Sequence, residues 1–229
     1  MLTIRCLNKI AEAGLAQFPQ ASYQFTEQAG AEDAILVRSA DLKEMDFGID
    51  LNAIARAGAG TNNIPIARCS EAGIVVFNTP GANANSVKEL VLAGLLMSSR
   101  PVIPAINWIE SLGSVTDLAQ RVEQEKSRFV GTELKGKTLG VIGLGAIGIL
   151  VANLAVELDM QVVGYDPYIS VDAAWKLSRQ VRHAESLETV LKTADYVTIH
   201  VPLTPQTKNL IAADQLKLMK AGAVLLNFA

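Results

Sequence analysis

Short runs of apolar residues recur along the first third of the chain. They cover residues 2–7, 34–37, 51–55 and 74–77, and helical or polar segments separate them. This alternation is typical of the strands and crossovers of a parallel sheet. Between the last two runs, Pro65 stands at an early helical position and Gly73 at a stop, which predicts a short crossover helix over residues 64–73.

A long pattern rich in Leu, Ala and Val follows over residues 83–109. It predicts a helix that is interrupted near Pro101 and Pro104, where backbone donors are lost. We expect the domain junction in this stretch and divide the chain into residues 1–94 and 95–229. The charged residues 111–136 are interpreted as a solvated helical face and a loop, rather than as a binding patch.

The second half of the chain repeats the alternation. Strands are predicted near residues 138–142, 161–165, 196–200 and 223–227, with helical runs between them. The pattern therefore predicts an α/β protein with a second sheet of its own.

Composition excludes two classes of partner. Of the 229 residues, 50% are hydrophobic and 19% are charged, and the formal net charge is −3. A chain of this kind can bury two modest cores but has no basic field for a nucleic acid or an anionic membrane. No stretch approaches the roughly 18 uninterrupted apolar residues of a membrane span. We expect no nucleic acid and no membrane as partners, and a cytoplasmic location.

The two cysteines indicate neither a disulfide nor a metal site. Cys6 and Cys69 lie in apolar surroundings, without CxxC or Cys/His spacing. We expect both to be small buried hydrophobic residues, and we predict no metal ligands.

A glycine-rich turn joins a predicted strand to a predicted helix. The strand ends at Ile142, Gly143-x-Gly145-x-x-Gly148 follows at once, and an amphipathic helix begins within the motif. In this order Gly143 permits a tight turn, Gly145 lets a pyrophosphate approach the main chain, and Gly148 lets helix and strand pack closely. The free N–H groups of the helix N-terminus then face the diphosphate, which predicts a dinucleotide site.

Asp166 ends the next predicted strand, about 20 residues after the glycines. Its carboxylate would accept hydrogen bonds from the ribose hydroxyls and repel a 2′-phosphate, so the predicted cofactor is NAD rather than NADP. Neither Pro167 nor Tyr168 supplies a cation for a 2′-phosphate. The alternative is that Asp166 only forms a turn or caps a helix.

These features together predict two parallel-sheet domains, Rossmann-like or flavodoxin-like, of which the NAD-binding domain is doubly wound. His200 follows the third strand of that domain, at the edge where ligands gather. It could act as a general acid, but a lone histidine on the cofactor side more often frames a pocket or satisfies backbone groups. His183 lies in a polar stretch, where we expect it to be solvated.

With these motifs in place, the chain resembles the D-2-hydroxyacid dehydrogenases over essentially its whole length, and most of all the branch that oxidises 3-phosphoglycerate. The most specific segments are RAGAGTNNI (56–64), FNTPGANANSV (77–87), GLGAIG (143–148), HVPLT (200–204) and NFA (227–229). The resemblance implies a flavodoxin-like substrate-binding domain in residues 1–94 and an NAD-binding Rossmann domain in residues 95–229.

The resemblance also implies roles for individual residues. The loop after Arg56 would hold the substrate carboxylate with backbone N–H groups, and Arg56 itself would bind a phosphate, unless it only forms a surface salt bridge. The expected substrate-binding residues are Arg56, Ala57, Gly58, Ala59 and Gly60. The expected cofactor-binding residues are Thr79, Gly143, Gly145, Ala146, Ile147, Gly148, Asp166, His200, Val201, Pro202, Thr207, Phe228 and Ala229.

The chain departs from the family at its catalytic residues. In the family an arginine follows the segment matched by Asn227, Phe228 and Ala229, and a glutamate and a histidine come later; none of the three is present here. We therefore assign no catalytic residue and expect the sequence to be part of a longer protein.

The expected reaction is the NAD-dependent oxidation of a D-2-hydroxyacid by a homodimer or higher homo-oligomer, with 3-phosphoglycerate as the leading substrate in serine synthesis. Two alternatives remain. The first is another hydroxyacid, such as lactate or glycerate, and the second is a noncatalytic module that senses NAD or binds a protein.

Overall fold

The computed structural model describes residues 1–113 and 116–229, so that Ser114 and Val115 of the charged stretch lie outside the described residues. Two compact units make up the chain, Met1–Asn83 and Ala84–Ala229. The boundary expected between residues 94 and 95 falls inside a helix, Ala84–Ser99, of the second unit. That helix groups with the second unit because its Val91 and Leu95 are buried in that unit's core.

The first unit is a five-stranded parallel sheet with two short helices. The elements are β1 (Leu2–Leu7), α1 (Glu12–Leu15), β2 (Tyr23–Thr26), β3 (Ala34–Val37), β4 (Ala53–Arg56), α2 (Ile66–Glu71) and β5 (Val75–Phe77). The strand order is β2-β1-β3-β4-β5, so the carboxyl ends of β3 and β4 lie side by side, with Val37 opposite Arg56. The predicted strands lacked β2, because its sequence Tyr-Gln-Phe-Thr alternates instead of forming an apolar run.

The core of the first unit forms around β3 and β4. Ile35, Val37 and Ile54 of these strands pack with Cys69 of α2, which is fully buried as predicted. Cys6 of β1 is only partly buried, and both cysteines are free thiols.

Helices open the second unit. They are α3 (Ala84–Ser99), α4 (Val102–Ser111), α5 (Leu118–Glu125) and a 3-10 helix (Lys126–Phe129). The predicted interruption occurs between α3 and α4, next to Pro101. Pro104 lies within the first turn of α4, where a backbone N–H has no partner inside the helix. Among the described residues no single helix is long and apolar enough to cross a membrane; α3 and α4 meet that criterion only as a pair bent by 64°.

The remaining elements of the second unit are β6 (Thr138–Ile142), α6 (Ala146–Glu157), β7 (Gln161–Tyr165), α7 (Val171–Lys176), β8 (Arg182–His183), α8 (Leu187–Thr193), β9 (Tyr196–Ile199), α9 (Ala213–Leu218) and β10 (Val224–Asn227). Their sheet has the strand order β10-β9-β6-β7-β8, and all of its strands are parallel. From the central β6 the chain runs first to one side and then to the other, which makes the unit doubly wound as predicted.

Helices cover this sheet on both faces. Buried residues of α3 and α6 pack with Leu139 and Val141 in one cluster, and buried residues of α8 pack with Ile142 and Val197 in the other. The switch in winding direction lies between β6 and β9, and the glycine-rich segment leaves the sheet there.

Candidate functional site

The glycine turn between β6 and α6 leaves no room for side chains at two of its three glycines. Gly143 has φ +90°, and a Cβ there would lie 2.8 Å from the carbonyl oxygen of His200. A Cβ on Gly148 would lie 1.9 Å from the carbonyl oxygen of Gly143. Gly145, in contrast, has open space around its Cβ position. The turn is therefore tight on its protein side and open at Gly145.

The open side of the turn carries the N-terminus of α6. Gly145 is the N-cap and offers no side chain to cap the helix. The N–H groups of Ala146 and Ile147 consequently have no acceptor among the described residues. A space that a side chain would fill, next to uncapped N–H groups, fits the diphosphate of a dinucleotide.

Asp166 directly follows β7, beside the turn. Its Oδ2 accepts a hydrogen bond from the Leu144 N–H at 2.8 Å, and its Oδ1 accepts one from the Tyr168 N–H at 2.9 Å. These bonds fix the orientation of the carboxylate and leave lone pairs on both oxygens. The sequence located this carboxylate but not its bond to Leu144.

His200 is largely buried at the end of β9. Its Nε2 lies 3.0 Å from Thr198 Oγ1, while Nδ1 is buried without a hydrogen-bond partner in the described part of the chain. Burial lowers the pKa of His200 to about 4. The ring is therefore neutral near pH 7, which favours the interpretation that His200 frames the pocket over the interpretation that it is a general acid.

The segment after His200 closes the other side of the turn. Val201 lies against Gly143, where a Cβ would meet Val201 Cγ1 at 2.8 Å. Thr207 Oγ1 donates to the carbonyl oxygen of Pro202 and accepts from the Thr204 N–H at 2.8 Å. Thr207 thus stabilises the conformation of this loop through hydrogen bonds to the loop's own backbone.

Phe228 and Ala229 follow β10. The Phe228 ring lies against α3, where a Cβ on Gly94 would be 3.2 Å from Phe228 Cζ, and it packs on the buried core. Ala229 is exposed, and its N–H donates to Asn227 Oδ1 at 3.1 Å. The contact of these two residues with nicotinamide stays a prediction.

In the first unit, the loop after β4 contains backbone N–H groups without an acceptor among the described residues. The Ala57 N–H donates to Val37 O and the Gly58 N–H to Arg56 O. The N–H groups of Ala59 and Gly60 donate to no acceptor in residues 1–113 or 116–229. These two are the donors that could hold a carboxylate.

The Arg56 side chain lies directly over this loop. A Cβ on Gly60 would be 2.9 Å from Arg56 Nη1, so the guanidinium lies close against the main chain of Gly60. Nη1 donates to Asn62 Oδ1 and Nε to the carbonyl oxygen of Arg38, both at 3.0 Å. Arg56 forms no ion pair with a described residue, so the alternative of a surface salt bridge is not what the structure contains.

Thr79 belongs to the same cluster. Its N–H donates to Gly58 O at 3.0 Å and its Oγ1 to Arg56 O at 3.3 Å. Thr79 was predicted as a cofactor-binding residue, and within the first unit it supports the loop after β4.

Two residues near this loop were not among the site residues predicted from the sequence. Arg38 directly follows β3, whose end lies beside that of β4, so a second arginine stands at the same edge of the sheet. Asn8 has φ 71°, and its Oδ1 accepts from the N–H groups of Arg38, Ser39 and Ala40 at 2.9 to 3.2 Å. Arginine at the end of a neighbouring strand was a signal that could have been used, whereas nothing local singled out Asn8.

Comparison with known proteins gives a family match for the second unit. Residues 94–229 match the family model described as D-isomer specific 2-hydroxyacid dehydrogenase, NAD binding domain.

Individual relatives match over more of the chain. A D-3-phosphoglycerate dehydrogenase from Methanocaldococcus jannaschii is 36% identical over 229 residues, which are 99% of this chain and 41% of that protein. A hydroxypyruvate reductase from Thermotoga maritima is 37% identical over 200 residues, which are 86% of this chain and 60% of that protein. The chain thus spans less than two thirds of either relative.

Among solved structures, the NAD⁺-bound 3-phosphoglycerate dehydrogenase of Entamoeba histolytica aligns with a TM-score of 0.73 at 24% identity. The alignment covers 99% of this chain and 71% of that one. At this identity the likeness supports the fold.

Proposed function

Because the chain belongs to the D-isomer specific 2-hydroxyacid dehydrogenase family and contains its NAD-binding domain, we propose that the protein oxidises 3-phosphoglycerate to 3-phosphohydroxypyruvate. This reaction would be the first step of serine synthesis. Both cysteines are free thiols, which suits a reducing compartment, and the proposed location is the cytoplasm.

The glycine turn and Asp166 would hold the cofactor. The N–H groups of Ala146 and Ile147 would bind the diphosphate, and the carboxylate of Asp166 would accept hydrogen bonds from the ribose hydroxyls and repel a 2′-phosphate. NAD, when bound, supplies the acceptor for a hydride. The protein contributes orientation and an acidic group that discriminates against NADP.

The observation that carries the substrate assignment is the cluster of donors after β3 and β4. The N–H groups of Ala59 and Gly60 suit a carboxylate, while the guanidinium groups of Arg56 and Arg38 suit a phosphate. A substrate with both anionic groups would use all of these donors. A hydroxyacid without phosphate would leave the arginines unused.

A second candidate is a small hydroxyacid without phosphate, such as glycerate. The similarity to a hydroxypyruvate reductase, at 37% identity, favours it. The two candidates differ in what Arg56 does, since only a phosphorylated substrate needs its charge.

Calorimetric titration of the protein with 3-phosphoglycerate and with D-glycerate separates these candidates. Arg56→Met should weaken 3-phosphoglycerate binding about tenfold or more, since a charged hydrogen bond contributes about 1.5 to 3 kcal/mol, and should leave glycerate binding nearly unchanged. Arg121→Met, on exposed α5, is the matched control. Equal losses for both ligands in the Arg56 variant would contradict the phosphate assignment.

We also infer that these 229 residues alone do not turn over the substrate. His183 is exposed in β8, the His200 ring hydrogen-bonds only to Thr198, and neither histidine pairs with a carboxylate in the described ranges. A positioned proton-transfer group contributes about 10² to 10⁴-fold. NADH formation from 3-phosphoglycerate at a rate within tenfold of a D-3-phosphoglycerate dehydrogenase would contradict this inference and direct attention to His200.

We propose further that the protein forms a homodimer through its second unit. No residue of α4 is buried, and exposed apolar side chains extend along α3 and α4. These are Leu90, Leu96, Met97, Val102, Ile103, Ile106 and Ile109. Sedimentation should give a dimer that Ile106→Asp dissociates; a wild-type monomer at micromolar concentration would contradict the proposal.

A further inference from the structure

Asp166 makes two hydrogen bonds of different kinds. The bond from the Tyr168 N–H to Oδ1 closes a turn two residues long, as aspartates after strands often do. The bond from the Leu144 N–H to Oδ2 joins segments that are 22 residues apart in the sequence. Local turn formation explains the first bond but not the second.

Two other anchors of the glycine turn also lie at the end of β7. The Gly143 N–H donates to Tyr165 O at 2.9 Å. The Leu144 side chain is 4% exposed and packs on Gly164, where a Cβ would lie 3.0 Å from Leu144 Cδ1. Of these anchors, only Asp166 holds the turn through a side-chain acceptor.

The position of Leu144 decides where the first N–H groups of α6 point. It lies between Gly143, with φ +90°, and Gly145, the N-cap of α6. The Leu144 N–H is bound to the carboxylate and is therefore not a donor for a diphosphate. If the acceptor is removed, this partly buried N–H loses its partner and the turn is free to move.

We propose that Asp166 is a positioning residue for the diphosphate-binding turn, in addition to the ribose contact of the proposed function, on which this inference rests. The carboxylate then has two separable properties. An acceptor oxygen holds the Leu144 N–H, and a negative charge disfavours a 2′-phosphate. Asparagine keeps the acceptor oxygen without the charge, whereas alanine has neither.

Two measurements on the full 229-residue chain test this assignment. Amide hydrogen exchange at Leu144, followed by NMR without any nucleotide, reports on the turn itself. Calorimetric titration with NAD and with NADP reports on the diphosphate and ribose sites. The control is Asp195→Ala, because Asp195 Oδ2 accepts the Thr138 N–H at 2.8 Å in the same way, at the opposite edge of the same sheet.

In Asp166→Ala we expect faster exchange at Leu144 and a loss of NAD affinity of about tenfold, the effect of one charged hydrogen bond. NADP affinity should fall less, because alanine also removes the charge that disfavours the 2′-phosphate. In Asp166→Asn we expect Leu144 to stay protected while the ratio of NAD to NADP affinity falls toward one. Asp195→Ala should change neither the exchange at Leu144 nor this ratio.

Wild-type protection of Leu144 in Asp166→Ala, together with unchanged or tighter NADP binding, would overturn the inference, because Asp166 would then act only on the ribose. Fast exchange at Leu144 in Asp166→Ala, with a ratio of NAD to NADP affinity unchanged from the wild type in both variants, would support the positioning role and refute the ribose contact of the proposed function. The exchange measurement needs no nucleotide, so the two failures are distinguishable.

Discussion

Acidification should destabilise the second unit through His200. Burial lowers the pKa of this imidazole to about 4 in the folded protein, whereas an unfolded histidine titrates near 6.5. Between these pH values the unfolded chain binds a proton that the folded chain does not bind. The free energy of unfolding therefore falls as the pH falls from 6.5 toward 4, and the contribution of His200 is constant above about pH 7.

The two pKa values set the size of the effect. With these values the free energy of unfolding falls by about 2 kcal/mol between pH 7 and pH 5, and by about 3 kcal/mol by pH 4. The free energy of unfolding of an ordinary domain is about 5 to 15 kcal/mol, so a loss of this size is readily measured.

Urea unfolding at pH 7, 6 and 5 tests this prediction. Both tryptophans, Trp108 and Trp175, lie in the second unit, so their fluorescence follows the unit that contains His200. Between pH 7 and pH 5 the wild type should lose about 2 kcal/mol more than His200→Gln, which cannot ionise. Both proteins contain the same carboxylates, so the contribution of these groups to the pH dependence cancels in the comparison. His183 is exposed, and His183→Gln should therefore behave as the wild type does.

Two results would refute the reasoning. One is a pair of parallel pH profiles for the wild type and His200→Gln. The other is an NMR titration in which the His200 ring protons give a pKa near 6.5, since the ring would then be solvated rather than buried.

Two further substitutions test the glycine turn and the loop beside Arg56. Gly148→Ala places a Cβ 1.9 Å from Gly143 O and should lower the free energy of unfolding in urea by about 3 kcal/mol, with loss of NAD binding. Gly145→Ala has open space at its Cβ, so it should keep the wild-type stability and lose only NAD affinity. Equal stability of the two variants would contradict this geometry. Asn8→Ala removes the acceptor of three N–H groups and should destabilise the first unit by about 1 to 3 kcal/mol. Asn8→Asp should not, and equal circular-dichroism melts of these two variants would contradict that role.

The sequence by itself determined the architecture and the chemical type of the nucleotide site. Apolar runs at strand length, separated by helical patterns, predict parallel sheets because that periodicity is local. The spacing of the glycines after Ile142 and the position of Asp166 after the next strand predict a dinucleotide site for the same reason. The half-exposed β2 and the two-residue β8 were missed, because neither contains an apolar run.

The tertiary structure alone decided which groups of the site are already occupied. Asp166 reaches the N–H of Leu144, Asn8 reaches the N–H groups after β3, and Arg56 Nε reaches the carbonyl oxygen of Arg38. Each of these pairs is distant in sequence, so no local pattern contains it. The low pKa of His200 likewise follows from burial between packed elements. Residue spacing determines which side chains reach an edge of the sheet, and packing determines which of their atoms remain free to bind.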